Sequence, residues 1–198
     1  MTRFKPLLIT VILSISASGA ANGLDEGLTE RKEEARAVTQ TLFDELSTEL
    51  QKAMKNGGPA EAIRVCRDEA PNIKSRLSRE TGWQVTRVGT RVRNPLLGMP
   101  DGYEVQVLED FLKQRAEGTP IAELERAEVQ DAGNRRYFRY MRGIGVQEQC
   151  LSCHGAPEKQ PDAIKEQLRS EYPHDDAVGY EVGDLRGAFS VIQDMSKP

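Results

Sequence analysis

The sequence predicts an α+β fold, with an antiparallel sheet, flanking helices and a long N-terminal helix. Two observations carry this. A run without Gly or Pro, rich in Glu, Lys, Leu and Ala, occupies Leu28 to Met54, and the strand-like stretches come only after the first helical segments. Those strands do not alternate regularly with helices, which disfavours a parallel α/β sheet. With 198 residues the chain has room for one ordinary domain, read here as residues 21–198 behind a leader over residues 1–20.

The leader carries Arg3 and Lys5, an apolar run from Leu7 to Ile15, and small residues through Ser18 and Ala20 at the −3 and −1 positions. That order is the pattern of a bacterial-type secretory signal peptide. The competing reading is an uncleaved anchor, for which the apolar run is short. Cleavage would leave 178 residues with 25 basic against 31 acidic side chains, a charge of −6. The expected product is periplasmic, acidic and without a membrane span.

In the first helix Val38, Leu42, Leu46, Leu50 and Met54 recur every four residues as one apolar stripe. Asn56-Gly57-Gly58 should end it. Pro59 suits the first turn of a second helix, whose inner face is Ile63, Cys66 and Ala70. Pro71 is expected to interrupt that helix, with Ile73 and Leu77 marking a further turn or two. Trp83 to Val88 reads as a strand, Tyr103 to Ala116 as a helix, and Glu125–Gln130 with Arg135–Met141 as a hairpin across Asp131-Ala132-Gly133-Asn134. Ile164, Leu168 and Tyr172 mark a short helix, and Gly187 to Ile192 a last strand.

A net charge of −4 over the whole chain argues against a nucleic-acid binder built on a basic surface. No nucleophile and base pair, phosphate loop or acid pair marks a hydrolase, and the chain is not read as an enzyme. Three cysteines are too few for a disulfide scaffold, and simple pairing leaves one over.

Two of the three lie in Cys150-Leu151-Ser152-Cys153-His154, the attachment motif of a c-type haem. Two thiols three residues apart can each add across a porphyrin vinyl group, forming two thioethers. His154 then supplies an imidazole nitrogen to the iron, and Gly155 lets the backbone pass close to the ring. A redox disulfide, a zinc site and a structural disulfide compete, but none calls for this spacing, this histidine and export together. One covalently attached haem c, with its iron, is therefore the expected cofactor. Its sixth position remains open to Cys66, His174, Met54, Met99, Met141, Met195, a lysine or water. Arg91 and Arg93 are candidate partners for the haem propionates, the alternative being solvated surface charge. His174, flanked by Asp175 and Asp176, reads as solvated.

Several segments resemble a known family. They are Ala62–Cys66 with Ala70-Pro71, Glu80–Trp83, Arg91–Pro95, Cys150–Gly155 and Gly179–Ala188. Together they resemble the exported c-type haem domain with a PAS-like fold, found free-standing or as the periplasmic sensing half of bacterial chemoreceptors and histidine kinases. The resemblance implies a PAS-like sheet and a distal haem ligand at Cys66, opposite His154. It also implies redox or gas sensing, or a low-potential soluble electron carrier, with a small haem enzyme the weaker reading. Because no signalling module follows the domain up to Pro198, sensing is expected to act in trans, through a redox partner or a membrane signalling protein.

Overall fold

The computed structural model describes residues 18–196, so all but the last three residues of the expected leader lie outside the described residues. The first helix, α1 (Ser18–Arg64), is longer than its apolar stripe suggests. It is two helical segments meeting at Gly58, whose φ of 66° and ψ of −160° are not helical, and Pro59 opens the second segment. The Asn-Gly-Gly signal therefore ends the first helical segment, as expected, and a second segment runs on to Arg64.

Pro71, by contrast, does not interrupt the helix. A π-turn over Val65–Glu69 joins α1 to α2 (Ala70–Thr81), and the amide of Ala70 donates to the carbonyl of Val65, five residues back. In a regular helix Pro71 would have no N–H for the Arg67 carbonyl, and its ring would press on that oxygen. Widening the preceding turn accommodates the ring without breaking the helix.

A single-turn helix, α3 (Pro95–Gly98), and α4 (Gly102–Ala116) follow the first strand. A reciprocal capping box between Asp101 and Glu104 starts α4, satisfying two amides that the first turn would otherwise leave unpaired. The strands are β1 (Gln84–Gly89), β2 (Glu125–Ala132), β3 (Arg135–Gly145) and β4 (Leu185–Asp194). They form one antiparallel sheet in the order β1-β4-β3-β2. The β2–β3 hairpin turns at Gly133-Asn134, with Ala132 opposite Arg135. Between β3 and β4 come α5 (Leu151–His154) and α6 (Asp162–Glu171).

Strand alternation sends side chains to two faces, and each face has its own core. Val85, Phe138, Tyr140, Phe189 and Val191 pack against Leu42, Leu46, Ile73 and Leu77 of α1 and α2. Val88, Met141 and Ala188 pack on the other face against Val107, Leu108 and Phe111 of α4. The predicted α+β class, with its antiparallel sheet and long N-terminal helix, is the observed one. Among the described residues no helix is long and apolar enough to cross a membrane.

Candidate functional site

A cavity of about 560 Å³ opens between α1, the π-turn, α2, the β1–β4 end of the sheet and the Cys150–His154 segment. Its volume falls within the roughly 300–1,000 Å³ range of small-molecule and cofactor sites. Leu42, Leu46, Leu50 and Met54 of the α1 stripe line it, as do Ile63 and Phe189. The stripe therefore serves two purposes, with part of it sealing against the sheet and part facing the cavity.

Cys150, Cys153 and His154 all line this cavity, and so does Cys66 from the π-turn. All three cysteines are free thiols of intermediate exposure. Cys150 closes a 3₁₀ turn over Glu148–Cys150, and α5 is the single helical turn that follows, so the two motif thiols are a turn apart. Cys153 packs against Ile63, Ile164, Leu168 and Tyr172, while Cys150 packs against Val146, Ala177 and Tyr180. Burial pushes the Cys153 thiol upward, the opposite of the depressed pKa that makes a C-x-x-C pair redox-reactive. Among the described residues no three His, Cys, Asp or Glu side chains gather closely enough to hold a bare metal ion, which disfavours the zinc reading.

The imidazole of His154 is held by its Nδ1, which lies 2.7 Å from the carbonyl oxygen of Ala177. A carbonyl can only accept, so the proton sits on Nδ1 and the lone pair is left on Nε2. Burial, with the nearby charges of Arg93 and Arg186, lowers the pKa of His154 well below the ordinary value and keeps it neutral. A neutral ring oriented through a backbone carbonyl is the usual state of a metal-ligating histidine.

The segment Asp175–Tyr180 forms the frame behind that ring. Tyr180 and Gly179 donate backbone hydrogen bonds to the carbonyls of His154 and Gly155, at 3.0 and 2.9 Å. Arg93 pairs with Asp175 at 2.9 Å and donates to the carbonyl of Cys153, and Asp175 accepts from the amide of Ala177 at 2.8 Å. Arg93 therefore lines the cavity but is committed to the motif's own backbone. Arg91 is not among the cavity residues. Its guanidinium donates to the carbonyls of Val178 and Gly179 and sits 3.8 Å over the Tyr180 ring. The structure employs both arginines as braces of the motif, neither as solvated surface charge. A Cβ at Gly155 would meet the Leu151 carbonyl at 2.6 Å, so the end of α5 itself demands the glycine.

Among the other residues named for the sixth position, Met54 lines the cavity, whereas Met141 is fully buried in the α4 core and Met99 is exposed. His174 is exposed, as its neighbours suggested. Five cavity cations are not marked by the sequence, namely Lys55, Arg67, Lys74, Arg87 and Arg186. Arg87 was detectable in principle. It shares a strand face with Val85 and stands opposite Phe189, so alternation puts a charge on an otherwise apolar face.

The family model for Tll0287-like proteins matches residues 24–193. The chain belongs to the Tll0287-like family. The crystal structure of the cyanobacterial heme-protein Tll0287 aligns with it at a TM-score of 0.59 and 26% identity, covering 82% of this chain and 96% of that one. No curated protein matches the chain. The Tll0287-like match runs through the π-turn, the Cys150–His154 motif and β4, and so takes in every wall of the cavity. It is the haem-domain family that the sequence segments resemble.

Proposed function

We propose that this Tll0287-like chain is an exported, periplasmic haem protein with one haem c, attached through Cys150 and Cys153 and ligated by His154 and Cys66, and that it senses redox state or a small gas. The observation that carries the reading is the convergence of these four residues, from the π-turn and the motif, on one largely apolar cavity. The cyanobacterial relative's description as a heme-protein supports it. Cys150 and Cys153 would hold the group through two thioethers, each S–H adding across a vinyl group, with sulfur to one carbon and hydrogen to the other and nothing leaving.

When bound, haem supplies a one-electron iron couple. The chain's own residues would hold and tune it. Ala177 and the Arg93–Asp175 pair orient the His154 ring so that Nε2 is the available nitrogen. Cys66 offers a sulfur whose thiolate form favours ferric iron and lowers the potential. The apolar side chains of α1 exclude water. In an acidic, exported protein such a centre would act on a redox partner or a membrane signalling protein.

Two measurements test this. Chain produced with cytochrome c maturation machinery should exceed the mature peptide by the mass of one haem under denaturing conditions, and apoprotein with a Cys150–Cys153 disulfide would overturn the reading. Absorption and electron-spin spectra of Cys66→Ala should differ from wild type in the ferric state, and unchanged spectra would remove Cys66 from the iron. A second reading, a soluble electron carrier, is favoured by Cys66 lying on a helical framework and not on a loop. Redox titration with and without CO or NO separates the two, since a sensor opens its iron site on reduction and a carrier keeps both ligands.

A further inference from the structure

The chain as a whole is acidic, with 31 Asp and Glu against 27 Lys and Arg, yet its cavity is not. Lys55, Arg67, Lys74, Arg87, Arg93 and Arg186 line it, and not one carboxylate does. Two of these cations are already neutralised. Arg67 pairs with Asp68 and Glu171, and Arg93 with Asp175. Lys55 is exposed at the rim. Lys74, Arg87 and Arg186 have no ion-pair partner among the described residues. Leaving several cations together in a partly buried wall is costly unless an anion completes them.

These three charges are held in place from different elements. Lys74 comes from α2, Arg87 from β1 and Arg186 from the start of β4. Arg186 donates to the carbonyl of Arg91 at 2.8 Å and lies 5.2 Å from the Tyr180 ring centroid, which fixes its guanidinium without compensating its charge. Burial and the neighbouring guanidiniums of Arg87 and Arg93 hold Arg186 down to about 10, and burial with Arg87 lowers Lys74. The cations thus strain against each other.

We propose that Lys74, Arg87 and Arg186 form a dicarboxylate subsite that binds the two propionates of the porphyrin and sets which edge of the ring lies toward the β1–β4 end of the sheet. This assigns to them the role that the sequence suggested for Arg91 and Arg93, and it rests on the haem reading above. The subsite recognises carboxylates independently of iron and of the thioethers, and the test exploits that. Full-length apoprotein, made without maturation machinery, is titrated by porphyrin fluorescence with protoporphyrin IX and with its dimethyl ester, which lacks the charges. Wild type should favour the free acid about tenfold or more, as charge-assisted hydrogen bonds would give. Arg87→Gln with Arg186→Gln should abolish the preference while keeping ester affinity, and Lys74→Gln, which breaks no hydrogen bond to the protein, should reduce it. Equal loss for both porphyrins, or a preference that survives, overturns the subsite. A chain that carries covalent haem by mass but shows no preference overturns the subsite alone, whereas binding of neither porphyrin overturns it together with the haem reading.

Discussion

Removing the carboxylate of Asp175 should loosen the frame behind His154 and cost more stability than any surface ion pair would. The side chains of Asp175 and Arg93 are only 10% and 9% exposed. Breaking a buried pair by deleting one partner costs about 3–5 kcal/mol, because the other charge is left uncompensated. Here Arg93 keeps the carbonyls of Cys153 and Ala177 and lies 5.7 Å from the Tyr172 ring centroid, so the lower end applies. Loss of the Ala177 amide's acceptor adds about 1 kcal/mol, for a total near 4 kcal/mol in Asp175→Ala. For a chain of this size that corresponds to a fall in Tm of roughly 8–16 °C, read by circular dichroism on the full chain. The double variant Arg93→Met with Asp175→Ala removes both charges, so it should be less damaging than the two single losses summed, by about 2 kcal/mol. A single-variant shift under about 2 °C, or strict additivity in the cycle, would refute the claim that this pair is a buried support.

Other perturbations have equally definite outcomes. Gly155→Ala must move either α5 or its own backbone to relieve the 2.6 Å contact with the Leu151 carbonyl, and should cost about 1–3 kcal/mol in denaturant melts. Phe111→Ala empties a fully buried site under α4 and should cost about 3–5 kcal/mol by the same measurement. At Glu125 burial opposes ionisation, but hydrogen bonds from Arg36, Tyr140 and Lys32 outweigh it and hold the carboxyl at about 2, against an ordinary 4.5. A depressed carboxylate stabilises the fold above its unfolded pKa, so this contribution should fade as pH falls from about 4.5 toward 2, and Glu125→Gln should flatten that part of the stability profile.

The parts of this protein that follow from local periodicity were readable in advance. Every-fourth-residue spacing marks α1, alternation marks β1, and the turn Asp131-Ala132-Gly133-Asn134 marks the β2–β3 hairpin. The motif residues were readable because their chemistry depends on spacing along the chain. What escaped was anything set by long-range geometry. Arg91 and Arg93 sit beside a loop in sequence, and nothing local says that carbonyls 60 to 90 residues away will claim their guanidiniums. Lys74, Arg87 and Arg186 come together only once β1 pairs with β4 and α2 folds over their end. In the sequence Pro71 looks like a break because local rules cannot tell a broken helix from a widened one.

That widened turn changes what Cys66 is for. Cys66, Ala70, Ile73 and Leu77 have the three- and four-residue spacing of a single stripe, and in an unbroken α-helix they would share one face at 100° per residue. The π-turn takes up one extra residue, so everything before it is out of phase with α2 by roughly that angle. Ile73 and Leu77 go into the sheet core, Ala70 lies in that core where it meets the cavity, and Cys66 is rotated out of their row to the cavity wall. Removing one residue between positions 67 and 69 would straighten the turn yet leave the sulfur where it is, since three α-helical residues span about the same 300°. Only regularising the turn at its full length, which Pro71 opposes, would carry the sulfur onto the row of Ala70, Ile73 and Leu77 and make an ordinary packing cysteine of it.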